Sequence, residues 1–161
     1  MPKRGLGAAQ PEHRIVGGGR DQPAPCRVVV LDTNILVAAG FSPRSNSARL
    51  INAVRGGRLR MIWNDATRDE AEHILRRIPP LSWEQFASLF HASDRFQGET
   101  FPDQFDYVAD RADRKFAALA AAAKASLVTQ DAGLLQALAD TGVLALTPGE
   151  FVRRCGSEFA R

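Results

Sequence analysis

The hydrophobic pattern of the chain alternates between two periods, one typical of strands and the other of helices. The stretch RVVVLD at 27–32 is a β-branched run and predicts a strand buried on both faces. Further strands are predicted at RLRMIW (58–63), SLVTQD (126–131) and VLAL (143–146), with a short one near Tyr107–Val108. Because helical patterns separate these runs, we expect an α/β fold of three α/β/α layers, with a central, mostly parallel sheet of about five strands.

Apolar residues recur at helical spacing between the strands. The predicted helices are NSARLINAVRGG (46–57), DATRDEAEHILRRIPP (65–80), SWEQFASLFHASDRF (82–96), DRKFAALAAAAKA (113–125), AGLLQALADTG (132–142) and TPGEFVRRC (147–155). Ser82 with Gln85, and Thr147 with Glu150, have the spacing of capping boxes at helix starts. Residues 97–112 are predicted to form a polar loop.

The first 25 residues differ from the rest of the chain in composition. They are rich in Gly, Pro and charge, and too poor in apolar residues to offset the entropy of ordering. They also carry +2 of the formal net charge of +3, so the basic balance is weak evidence for a polyanionic partner. We predict a disordered N-terminal extension over 1–25 and a single domain over 26–161.

Composition favours a globular protein without a membrane span. The 161 residues are 45% hydrophobic and 24% charged, and no apolar run approaches the roughly 18 residues that a span requires. The only cysteines, Cys26 and Cys155, fit no metal-site spacing. We therefore expect reduced thiols and a cytoplasmic protein that does not engage membranes.

Two predicted strands end at aspartates. Asp32 follows VVVL and Asp131 follows SLVT closely. Ligand sites of open α/β sheets lie at the carboxyl ends of strands, so the two carboxylates would converge at one edge. Oxygen ligands without His or Cys favour Mg²⁺ or Mn²⁺. Taken singly, each aspartate is also well placed to be an N-cap, but the pair together favours a metal site.

Two further acids are candidates on weaker grounds. Asp113 lies in the first turn of the alanine-rich helix, where the helix dipole alone favours an anion. Glu70 lies among other acids on a helix, and the default for such a cluster is a solvated face. The pattern alone does not choose Glu70 over Asp69 or Glu72.

Four stretches together resemble the PIN-domain nucleases, and in particular the branch labelled as toxins of toxin–antitoxin systems (VapC-like). The resemblance covers about residues 27–152, and no counterpart exists for the N-terminal extension. The matching stretches are VVLDTNILVAA, DEAEHIL, DRADRKFAALAAAAKASLVTQDAGLL and VLALTPGEF. Two positions depart from the family pattern: Gln130 stands where glycine is common, and Arg114 where asparagine is common.

The resemblance assigns residues to the family's acidic site. Its four acids fall on Asp32, Glu70, Asp113 and Asp131, while Asp110 competes for the third position but lies outside the register. Asn34 and Thr129 match polar positions that help to hold the acids or the metal-bound water.

The same resemblance implies a function. It points to a metal-dependent endoribonuclease that uses Mg²⁺ or Mn²⁺, with RNA as substrate and a cognate antitoxin as partner. We also expect a homodimer. The alternative is a catalytically silent PIN-like module that binds RNA or a partner. A haloacid-dehalogenase-like phosphatase is disfavoured, because its second acid would fall on Asn34.

Other side chains are candidates for contacts outside the acidic site. Candidates for a basic rim are Arg44, Arg49, Arg68 and Lys115, although scattered basic residues are more often solvated surface charges. Trp63 and Trp83 are expected in the core or an interface rather than stacked on bases. The aromatic segment 82–96 is a candidate groove for a second copy or an antitoxin, and ordinary core packing is an equal alternative.

Overall fold

A computed structural model describes residues 26–159, and the extension predicted over 1–25 lies outside this range. The sheet has four strands within the described residues: β1 (Val28–Leu31), β2 (Arg60–Met61), β3 (Ser126–Val128) and β4 (Ala145–Leu146). They are all parallel and lie in the order β2-β1-β3-β4. The predicted α/β fold with a parallel sheet is confirmed, with four strands instead of about five.

Helices connect the strands. They are α1 (Thr33–Phe41), α2 (Asn46–Arg55), α3 (Asp65–Leu75), α4 (Arg114–Ala123), α5 (Ala132–Leu138) and α6 (Pro148–Phe159). Several end earlier than predicted, and α5 stops at Leu138, whose carbonyl accepts a hydrogen bond from the Thr141 hydroxyl. At the start of α6, Thr147 and Glu150 form the predicted reciprocal cap, with backbone-to-side-chain distances of 2.9 and 3.1 Å. No helix in residues 26–159 combines the length and apolarity needed to cross a membrane.

The side chains of β1 divide between two apolar clusters. Val29 and Leu31 pack in one cluster with residues of α1, α2, α3 and α6. Val28 and Val30 pack in the other with residues of α4 and α5. Since alternate residues of a strand point to opposite faces, the two clusters cover both sides of the sheet. This arrangement confirms the predicted three layers.

The segment predicted as one helix over 82–96 is instead broken into three short 3₁₀ helices, Trp83–Gln85, Ala87–Leu89 and Ala92–Asp94. The predicted cap is formed, because the Ser82 amide donates to Gln85 Oε1 at 2.8 Å. The chain then turns back to the edge of the sheet, where the Phe96 amide donates to the Trp63 carbonyl at 2.7 Å. Tertiary contacts of the core therefore override the local helical pattern.

The expected strand near Tyr107–Val108 is not formed. The Val108 amide donates to the Phe105 carbonyl at 3.0 Å, which closes a turn. The Val108 carbonyl accepts from Arg114 Nε at 2.9 Å. Because the amide and the carbonyl of Val108 are both engaged in these bonds, neither is available for hydrogen bonds to a neighbouring strand.

The expectation of two reduced cysteines is wrong for this structure. Cys26 and Cys155 form a disulfide, with their Cα atoms 5.2 Å apart. Cys26 lies two residues before β1, and Cys155 lies on α6, which packs in the same apolar cluster as Val29 and Leu31 of β1. The fold thus brings together two residues that are 129 positions apart in sequence.

Candidate metal centre

The four predicted acids line one open cavity. This cavity has a volume of about 440 Å³ and is bordered by Asp32, Glu70, Asp113 and Asp131. It lies at the carboxyl edge of the sheet, because Leu31 and Val128 are paired in register and the two aspartates follow those strands. The expectation that distant stretches of the chain would meet at this edge is confirmed in its geometry.

Asp32 is both a helix cap and a member of the acid cluster. Its Oδ2 accepts hydrogen bonds from Thr129 Oγ1 at 2.6 Å and from Asn34 Nδ2 at 3.1 Å. The Asn34 amide also donates to Oδ1, at 3.4 Å, as expected for an N-cap of α1. Burial raises the pKa of Asp32, the Thr129 and Asn34 hydrogen bonds oppose this, and the negative charges of Glu70 and Asp131 add to the rise.

Thr129 joins Asp32 to Asp131. The fully buried Thr129 hydroxyl donates to Asp32 and accepts from the Asp131 amide at 3.0 Å. Asp131 Oδ1 accepts from the Leu134 amide at 2.9 Å and so caps α5. The capping interpretation is therefore confirmed for both aspartates, and each of them also lines the cavity, so metal ligation by Asp32 and Asp131 stays a prediction.

Asp113 is the most strongly perturbed acid in the cavity. Burial, followed by the negative charges of Asp32, Asp110, Asp131 and Glu70, raises the pKa of Asp113 to about 6. Asp110 lines the same cavity, and its carboxylate accepts from the Ala112 amide at 2.9 Å. In the sequence, Asp110 is only a competitor for the third position, whereas the structure brings both acids to the cavity.

Glu70 is held by two donors from other elements. Its Oε1 accepts from Lys115 Nζ at 2.6 Å, and its Oε2 accepts from Thr33 Oγ1 at 3.1 Å. The neighbouring acid Glu72 instead pairs with arginines of its own helix region, and Asp69 is exposed. The structure thus separates Glu70 from its neighbours, which the sequence pattern alone did not do.

Thr33 and Lys115 are contacts that sequence reasoning missed or placed differently. Thr33 lies between Asp32 and Asn34, and its position in the motif was the only available signal. Lys115 was expected on a basic rim, yet it reaches an acid of the cavity itself. Of the other rim candidates, Arg68 pairs with Glu72 at 3.3 Å and lies over the Trp83 ring.

The remaining sequence candidates fall outside the cavity. Arg44 and Arg49 are exposed, as surface charges would be. Trp63 and Trp83 are only 8% and 5% exposed, which confirms the expected core placement. In the aromatic segment, Phe86 and Leu89 are buried in the core, which favours packing over an open groove at these two positions.

The cavity fits a hard divalent cation in charge and in donor chemistry. It presents carboxylate oxygens, and the pKa of Asp113 is raised by burial first and then by the negative charges of neighbouring acids, whose repulsion a cation would relieve. Within residues 26–159, however, no three His, Cys, Asp or Glu side chains already form a group that could hold a metal ion. Binding would therefore require side-chain adjustment of the acids.

Comparisons with known proteins give one result. A family model described as "PIN domain" matches residues 28–133, which is more than half of the chain and includes all four predicted acids. The searches of curated proteins and of solved structures gave no match.

Proposed function

Because this chain belongs to the PIN-domain family, we propose that it is an endoribonuclease that hydrolyses RNA phosphodiester bonds with Mg²⁺ or Mn²⁺. PIN domains are generally nucleases and generally use divalent metal ions such as Mg²⁺. The observation that carries the proposal is the convergence of Asp32, Glu70, Asp113 and Asp131 on one cavity at the carboxyl edge of the sheet.

Each acid has a role in the proposal. Asp32, Asp113 and Asp131 would hold the ion, and Glu70 would complete the site or orient the attacking water. Asn34 and Thr129 fix the Asp32 carboxylate through their hydrogen bonds. A divalent ion, when bound, supplies charge stabilisation to the scissile phosphate and lowers the pKa of a bound water.

We also propose that the protein is the toxin of a toxin–antitoxin pair and forms a homodimer. The sequence resemblance supports the first idea. A partly exposed apolar segment of α1 is in keeping with a partner of some kind, because residues 35–41 are all apolar and only Ile35 and Leu36 among them are buried. Phe41, at the end of α1, is 51% exposed, whereas a helix that is apolar on all sides is normally buried.

The test is cleavage of a labelled single-stranded RNA by the full chain with Mg²⁺, with Mn²⁺ and with EDTA. We expect cleavage with either metal, none with EDTA, and a loss of at least about 100-fold in Asp32→Asn. Asp140→Asn is the matched control, since Asp140 is an exposed aspartate outside the cavity. Equal activity of Asp32→Asn and the control, or cleavage that survives EDTA, would contradict the proposal.

The second candidate function is a catalytically silent module that binds RNA or a partner. It is favoured by the two protein donors that already engage both oxygens of Glu70. RNA binding by the wild-type protein without metal-dependent cleavage would support this alternative.

A further inference from the structure

Lys115 places a positive charge against the acid cavity. Its Nζ donates to Glu70 Oε1 at 2.6 Å and to the Ala112 carbonyl at 2.6 Å. The Lys115 and Glu70 side chains are only 23% and 19% exposed. A charged hydrogen bond of this length with limited access to water is stronger than a surface ion pair.

Both oxygens of Glu70 are thereby occupied. Lys115 on α4 engages Oε1, and Thr33 on α1 engages Oε2 at 3.1 Å. The carboxylate of Glu70 is thus fixed between two helices that belong to opposite layers of the fold. Each oxygen keeps a second acceptor site, but a metal ion there would have to compete with the Lys115 ammonium and the Thr33 hydroxyl for the same carboxylate.

On average, an aspartate oxygen of the cavity accepts fewer hydrogen bonds from protein groups than an oxygen of Glu70. Asp131 uses only Oδ1 for its cap, and no residue in 26–159 donates a hydrogen bond to the Asp113 carboxylate. Asp32 keeps Oδ1 nearly free, since its one contact there is 3.4 Å long. The oxygens open to a cation therefore lie on the aspartate side of the cavity.

We infer that Lys115 is a positioning residue that occupies the Glu70 side of the site as a tethered monovalent cation, so that Glu70 is not a metal ligand and the aspartates hold a single divalent ion. The inference rests on the proposed function, because it concerns the same site. Lys115 cancels the charge of Glu70, so the uncompensated negative charge of the cavity lies on its aspartates. Glu70, held in place by Lys115, faces the cavity as an acceptor for a water molecule.

The test is Mn²⁺ binding to the metal-free full chain, measured by isothermal titration calorimetry and by electron paramagnetic resonance of free Mn²⁺. The key protein is the charge-balanced variant E70Q/K115M, which removes the ion pair without changing the net charge of the site. The single variant K115M frees Glu70. K124M is the matched control, because Lys124 ends the same helix about 14 Å away along its axis.

We expect one Mn²⁺ per wild-type chain. E70Q/K115M should also bind one ion, with a Kd within about twofold of the wild-type value, because no ligand is lost. K115M should bind its first ion at least about tenfold more tightly, or add a second ion, since an unpaired carboxylate then faces the cavity. K115R should restore wild-type binding, and K124M should not differ from the wild type.

The inference is overturned if the wild type binds two ions, if E70Q/K115M loses more than about tenfold in affinity, or if K115M matches K124M. Should K115M fail to fold by circular dichroism, E70Q/K115M still decides whether Glu70 is a ligand. Absence of Mn²⁺ binding in the wild type would overturn both this inference and the proposed metal chemistry. Normal Mn²⁺ binding without RNA cleavage would overturn the proposed function alone.

Discussion

The raised pKa of Asp113 makes a prediction that links the site to stability. Replacing Asp113 by Asn removes a carboxylate that is ionised at neutral pH despite its burial and the negative charges of its neighbours. We therefore expect Asp113→Asn to stabilise the metal-free protein at neutral pH while it impairs the site. Functional acids that repel one another commonly impose such a cost on the folded state.

The magnitude follows from the pKa. A rise from 3.8 to about 6 corresponds to about 3 kcal/mol of unfavourable ionisation in the folded state. The side chain is only partly buried, so solvent screening reduces the expected gain to about 1 kcal/mol. For a domain of this size, that is an increase of about 3 °C in Tm.

The size of this stabilisation depends on pH. Because the folded-state pKa is raised, the contribution of Asp113 to stability is full below the unfolded-state value near 3.8 and is lost as the pH rises through about 6. The advantage of Asp113→Asn over the wild type should therefore be absent near pH 4, grow between these values and level off above them.

The assay is urea unfolding followed by circular dichroism in EDTA, at several pH values that span this window. Asp140→Asn is the control, since Asp140 has a positive φ of 62° that asparagine tolerates well. The reasoning is refuted if Asp113→Asn gives the same change in the free energy of unfolding at every pH, or if it destabilises the protein at neutral pH.

Three further outcomes are expected. Mg²⁺ at a concentration of 100 Kd should stabilise the wild type by about 2.7 kcal/mol and leave Asp32→Asn nearly unchanged, as measured by thermal shift. Thr129→Val should lower the free energy of unfolding by about 1–3 kcal/mol in urea titrations, because the Asp32 carboxylate and the Asp131 amide each lose their hydrogen bond to the Thr129 hydroxyl. An unchanged midpoint would contradict a stabilising role for this hydroxyl. The double replacement of Cys26 and Cys155 by Ser should cost about 2–5 kcal/mol, with a lower Tm than the oxidised wild type, and equal values would count against a stabilising disulfide.

The sequence predicted the parts of the site that follow from strand order. Asp32 and Asp131 each come at the end of an apolar run, and parallel strands bring such ends to one edge. The same rule does not apply to Glu70, which lies on α3 and not at the end of a strand. Which acid of this helix lines the cavity depends on which helix face turns inward, and the sequence around Asp69, Glu70 and Glu72 does not distinguish them.

The errors have a common physical origin in contacts between distant residues. The segment 82–96 has a helical pattern, yet the backbone pairing between Phe96 and Trp63 draws it back to the sheet and breaks it into 3₁₀ turns. The pairing of Cys26 with Cys155 likewise depends on where α6 packs relative to the start of β1. The contact of Lys115 with Glu70 joins residues 45 positions apart, which no local pattern encodes.

The most direct test of the account is a crystal structure of the full chain soaked with Mn²⁺, with anomalous diffraction data to locate the ion. We expect an anomalous peak in the cavity, from an ion ligated by Asp32, Asp113 and Asp131. A saturating soak that leaves this cavity without a peak, or that places the ion away from these carboxylates, would contradict it.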